Sequence, residues 1–134
     1  MDHFDKLKDI LAAIEKDVQT DAMNVKDKAF IAVSIRHKWV GQLINTKVEL
    51  KRLTNKKKLL EKETFAKMQR ENPVSFTKKQ FDGMVATSGT FSEIDDAIEF
   101  LELKIELLER TEKNLSQWTY DIKNAVEIIK METT

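Results

Sequence analysis

The sequence predicts an all-α fold: a short N-terminal helix plus an antiparallel pair of long helices, a helical hairpin that oligomerises through its C-terminal helix. Three observations carry this expectation. Only three glycines and one proline punctuate 134 residues, and 34% of the residues are charged, a composition of long solvated helices rather than sheets. Apolar residues recur in steps of three and four over one short and two long stretches. The proline and two of the glycines fall together in residues 71–91, where they divide the long stretches. At this length the chain reads as a single helical domain spanning 1–134.

The first element covers residues 3–19. Phe4, Leu7, Leu11, Ile14 and Val18 line one face, and Asp2 is placed to cap its start. Thr20 and Asp21 are short and polar, suited to stop this helix and cap the next. The alternative is one helix running straight through residues 19–22.

Residues 22–70 form the second, basic helix. Its seam reads Ala22, Val25, Ala29, Ala32, Arg36, Trp39, Leu43, Thr46, Leu50, Leu53, Lys57, Leu60 and Thr64. Gly41 sits inside it at a cost of about 1 kcal/mol relative to alanine. Beyond Leu53 the seam thins, so this end is expected to leave the core and face water or a ligand.

In the loop 71–91, Pro73 ends the helix and holds Asn72 away from helical angles. Thr77 is placed to cap a short turn carrying Lys78, Lys79 and Phe81.

Residues 92–131 make the last helix, with Thr90 and Glu93 fitting a capping box and Asp95 and Asp96 set against the helix dipole. Its seam, Ile94, Ile98, Leu101, Ile105, Leu108, Glu112, Leu115, Thr119, Ile122, Val126 and Ile129, keeps an a/d repeat over several heptads. A helix of about 40 residues is roughly 60 Å long. A stripe of that length is expected to be covered in part by other copies of the chain, which makes Ile94, Ile98, Leu101, Ile105, Leu108, Leu115, Ile122, Val126 and Ile129 the candidate oligomerisation residues.

Charge is segregated although the formal net charge is zero. Lys47, Lys51, Arg52, Lys56, Lys57, Lys58, Lys62, Lys67 and Arg70 crowd the second half of the middle helix, followed by Lys78 and Lys79. Glu93, Asp95, Asp96, Glu99, Glu102, Glu106, Glu109 and Glu112 make the start of the last helix acidic. Paired antiparallel, the blocks would lie side by side and neutralise one another, which is the commoner outcome for charge runs. The other reading is that surplus lysines project outward to bind phosphates, displacing condensed counterions. Phe65, Phe76 and Phe81 interleave with the lysines. Phe65 reads as packing, while Phe76 and Phe81 divide evenly between packing and stacking on bases. Trp39 and Trp118 fall on seams and read as core. Arg36 and Glu112, charged on apolar seams, are candidates for a register-setting contact.

Enzymatic chemistry has no carrier here. There are no cysteines, and His3 and His37 lack partners at metal-ligand spacing. No Gly-rich phosphate loop or nucleophile elbow occurs. No cofactor is expected, and no run of 18 apolar residues exists to span a bilayer. The first residues lack the order of a signal peptide, so the expectation is a soluble, cytoplasmic binding protein.

Lys16-Asp17-Val18, Asp21, Ala29 and Lys38-Trp39, followed by the Lys-rich helix, the aromatic-containing loop and the apolar C-terminal helix, resemble the UvsY recombination mediators of T-even-type phages over nearly the whole chain. The resemblance implies a non-enzymatic ring homo-oligomer, hexameric or heptameric, that binds single-stranded DNA in the host cytoplasm. Such mediators weaken the hold of the phage single-strand-binding protein and help load the RecA-like phage recombinase, in recombination, repair and recombination-dependent replication. In that family the C-terminal part of the chain serves oligomerisation, and a Lys-x-Arg pair in the middle helix is tied to DNA. Lys62 matches the lysine, but Thr64 stands where the arginine is expected. The DNA-binding candidates are therefore the wider set Lys51, Arg52, Lys56, Lys57, Lys58, Lys62, Lys67, Lys78 and Lys79, with Phe76 and Phe81. The alternative is a coiled-coil structural or chaperone/adaptor protein that does not bind DNA.

Overall fold

The computed structural model describes residues 2–71 and 77–133 and is helical throughout its elements: α1 (His3–Val18), α2 (Val25–Glu71), α3 (Lys78–Thr87) and α4 (Gly89–Thr133). The chain divides into two compact units, one of Met1–Asn45 with Lys104–Thr134 and the other of Thr46–Leu103.

In the first unit α1 begins at Asp2, whose carboxylate accepts the Asp5 amide at 2.9 Å. It stops at Val18, and the chain breaks before α2 as the short polar residues predict. Asp21 Oδ1 accepts the amides of Met23 and Asn24, and Asn24 Oδ1 accepts the amide of Asp21 in return. These bonds satisfy donors that the start of α2 would otherwise leave open. One apolar core joins three helices: Ile14 of α1, Ile35, Trp39 and Leu43 of α2, and Leu108 and Leu115 of α4, flanked by Ile10, Val18, Ile105 and Trp118. Ala32 shares a groove with Ile122, and Trp39 shares one with Leu108, so α4 descends as α2 rises and the pair is antiparallel.

The α4 seam is thereby covered in part by the chain itself. Leu108, Leu115 and Ile122 are buried by the chain itself, as is Leu101 in the second unit. These four candidate oligomerisation residues are core and not free for another copy. Ile94, Ile98, Ile105, Val126 and Ile129 are half-buried. Large apolar side chains are also exposed on α2, where Phe30 and Val33 are 88% and 71% accessible, and at the end of α4, where Ile128 and Met131 are 55% and 76% accessible. No ion pair joins Arg36 to Glu112 among the described residues, so the expected register contact is not formed.

In the second unit Thr77 caps α3 through a capping box: its hydroxyl accepts the Gln80 amide, and the Gln80 side chain accepts the Thr77 amide. The expected single turn is thus a helix of 10 residues. Ser88 separates it from α4; its amide donates to the Val85 carbonyl and its carbonyl accepts from Ser92. α4 accordingly opens at Gly89, and Thr90, expected as its cap, lies inside the first turn. Phe81 and Phe91 are buried here together with Thr46.

Candidate nucleic-acid interface

Helical spacing sorts the basic residues of α2 in the second unit into two rows. Lys51, Lys58 and Lys62 stand seven and four residues apart on one face, and Arg52, Lys56, Lys67 and Arg70 follow another. Lys51, Arg52, Lys56, Lys58, Lys62, Lys67, Lys78 and Lys79 are all exposed. None of these eight takes part in an ion pair among the described residues. Each ammonium or guanidinium therefore remains available to a mobile anion.

Lys57 is the exception within the cluster. It is half-buried on the thinned seam, pairs with Asp95 at the start of α4 and reaches Glu61 one turn on at 3.8 Å. The hydrogen bond to Asp95 holds its pKa above the ordinary lysine value, partial burial opposes this, and the charges of Asp95 and Glu61 reinforce it. Of the DNA-binding candidates Lys57 thus belongs to the neutralising contact between the basic and acidic blocks. Phe81 is also reassigned. It is 5% exposed, and its ring meets that of Phe65 edge-on at 5.2 Å and 74°, so it is no open stacking platform. Phe76 lies outside the described residues.

The two rows are accompanied by a cleft between α2 and α3 of about 600 Å³. Lys58, Lys62 and Lys78 stand around it, and Leu59, Phe65 and Phe81 supply its apolar lining. Leu59 carried no signal in the sequence, because its meaning depends on α3 folding back against α2. The capping pattern at Thr77 was the one available clue to that return.

The spaced residues Asp17, Lys38 and Trp39 prove to be a clamp in the first unit. Asp17 Oδ2 accepts from Lys38 Nζ and from Trp39 Nε1, each at 2.8 Å, and Lys28 Nζ donates to the Asp17 carbonyl at 2.8 Å. The Lys38 ammonium also lies 4.8 Å from the centroid of the Trp39 ring. Partial burial alone would push the Asp17 carboxyl up, but the hydrogen bonds from Lys38 and Trp39 and the charges of Lys38 and Lys28 outweigh it and hold the pKa below the ordinary carboxylate value. These residues fix the end of α1 to α2.

An all-helical chain that leaves rows of cations exposed and without ion pairs among the described residues, beside an apolar cleft, offers a surface that would attract a polyanion. A sequence-family model described as "Recombination, repair and ssDNA binding protein UvsY" matches residues 13–134, and the chain belongs to this family. Crystal structures of the bacteriophage T4 recombination mediator protein UvsY share its fold. One superposes with a TM-score of 0.75 at 17% identity, covering 94% of this chain and 98% of that one. A second, in another lattice, gives 0.74 at 16% identity over 95% and 97%. No match is found among curated protein sequences. No helix of the described residues is long and apolar enough to cross a membrane.

Proposed function

We propose that this chain acts by binding rather than by catalysis, holding single-stranded DNA on Lys51, Lys58, Lys62 and Lys78 of the second unit. The observation that carries the reading is the eight exposed basic side chains left without ion-pair partners among the described residues. A solvated face that merely balanced α4 would show them paired, as Lys57 is with Asp95. Phosphate contacts from such rows are insensitive to base sequence and strongly dependent on salt.

The fold likeness to the T4 recombination mediator supports the finer role. In that role the chain works as a ring homo-oligomer, hexameric or heptameric, in the cytoplasm of a bacterial host. It takes DNA covered by single-strand-binding protein and helps load a phage RecA-like recombinase. Copies meet on apolar side chains that the chain leaves accessible, the α2 face around Phe30 and Val33 and the half-buried seam members of α4. A ring repeats a weak site many times, and avidity supplies affinity while each site can still release locally.

A titration with single-stranded DNA at several salt concentrations tests this. Lys58→Ala with Lys62→Ala should weaken binding and flatten the slope of log affinity against log salt by about 0.7 for each phosphate that is no longer neutralised. Helix content should stay at the parent value, since both side chains are exposed. Failure of the parent to bind at low salt would overturn the reading and favour the structural or adaptor alternative.

A further inference from the structure

The cleft between α2 and α3 has a composition that the lysine rows do not need. A surface that only tracked phosphates would be polar throughout. Here Leu59, 58% exposed, joins Phe65 and the buried Phe81 to make an apolar wall, with Lys58, Lys62 and Lys78 around it. The volume of about 600 Å³ falls within the about 300–1,000 Å³ usual for small-ligand sites. A free inorganic anion would leave the apolar wall without a partner, and a purely apolar ligand would leave the ammonium groups without one. The fitting ligand is flat and weakly polar on one side and anionic on the other.

We infer, resting on the DNA-binding reading above, that this cleft receives an unstacked base of a single strand, with the flanking phosphates on Lys58, Lys62 and Lys78. The two carboxylates of the lining, Glu61 and Asp82, fix the orientation. They repel phosphate from the interior, and they can accept from the exocyclic amino groups that bases carry. Glu61 is also tied to Lys57 at 3.8 Å, which holds it in place on α2. A base in a duplex is stacked on both faces and paired along its edge, so it reaches the wall only after the helix opens. The cleft therefore selects single strands over duplex, which the exposed lysines cannot do, because both forms present phosphates.

The test compares two labelled 12-mers by fluorescence anisotropy with the full chain: one with ordinary bases and one whose sugars carry no bases but whose phosphates are the same. The parent should bind the base-bearing strand about tenfold or more tightly than the abasic one, in line with the apolar area that a base would bury against Leu59 and Phe65. Leu59→Gln removes the apolar side chain from an exposed helical position without adding charge, and glutamine is a good helix former. It should cut that preference to about threefold or less while leaving the salt slope unchanged. Circular dichroism equal to the parent's confirms that the variant is folded. Equal binding of both strands by the parent overturns the cleft and leaves DNA binding standing. A preference that survives Leu59→Gln likewise overturns it, by placing the base contacts elsewhere. Binding of neither strand at low salt overturns the DNA-binding reading and this inference with it.

Discussion

Asp17 gathers two side-chain donors on a single carboxylate oxygen, an ammonium and an indole N–H. Its pKa is depressed in the folded chain, so the unfolded chain binds its proton more readily. The stability this contributes is fully present above the unfolded value near 3.8 and is lost as pH falls through the lower folded value. Asp17→Ala should lower the stability at pH 7 by about 1–3 kcal/mol, as expected for hydrogen bonds to a charged group. The difference from the parent should shrink as acid unfolding curves are taken below pH 4; a difference constant down to pH 2 would mean that the side chain acts only through packing. The sequence displayed Asp17, Lys38 and Trp39 as a spaced pattern but not as a contact. The partners stand 21 and 22 residues apart, and only the break at Thr20 and Asp21 lets α1 fold back to join them.

At the level of the elements, α3 depends on one ring. Among the described side chains of this helix Phe81 is the buried apolar one, and its neighbours Lys78, Lys79 and Gln80 are exposed. Phe81→Ala should therefore cost about 3–5 kcal/mol, the usual range for a buried aromatic truncated to alanine. Hydrogen exchange should show the loss first in amides 78–87, before α2 and α4 open. Protection that falls uniformly over all helices would instead make α3 an integral part of a single cooperative unit. The helix was half legible from sequence. Thr77 announced its start, but only a short turn was expected to follow it, and Gly83 stands in the middle of the helix that forms. Nothing lies within 4 Å of a Cβ built at Gly83, so no close approach demands glycine there. The Phe81 ring fared worse, because a phenylalanine among lysines reads equally as stacking platform and as anchor until its partner Phe65 is known.

For the whole molecule, the chain itself covers four members of the long apolar stripe of α4 and leaves five half-buried. The periodicity of α4 identified which residues lie along a seam, and Leu101, Leu108, Leu115 and Ile122 are indeed its most buried members. Periodicity is silent on whose side chains do the covering, and α1 and α2 supply them in the first unit. Leu115, 1% exposed, is thus a folding residue, and Leu115→Asp should destabilise by about 4 kcal/mol or more, read as lost helicity on thermal unfolding. Phe30→Asp with Val33→Asp should keep the parent's melting curve and lower its sedimentation coefficient. Unchanged sedimentation would remove this face from the assembly. The lysine cluster was visible from the order of the residues alone, yet its division into a paired Lys57 and exposed neighbours required the register of α2 against α4.

The clamp at the end of α1 also gives the protein an optical gauge. Both of its tryptophans report on the same place: the Trp39 indole N–H donates to Asp17, and that of Trp118 donates to the Thr20 hydroxyl at 3.2 Å. Their emission records whether the end of α1 is seated, with no label added. The cleft between α2 and α3 has phenylalanines but no indole or phenol in its lining. A base that enters it meets no intrinsic fluorophore, so occupancy has to be read from the strand, while the protein's own light follows α1.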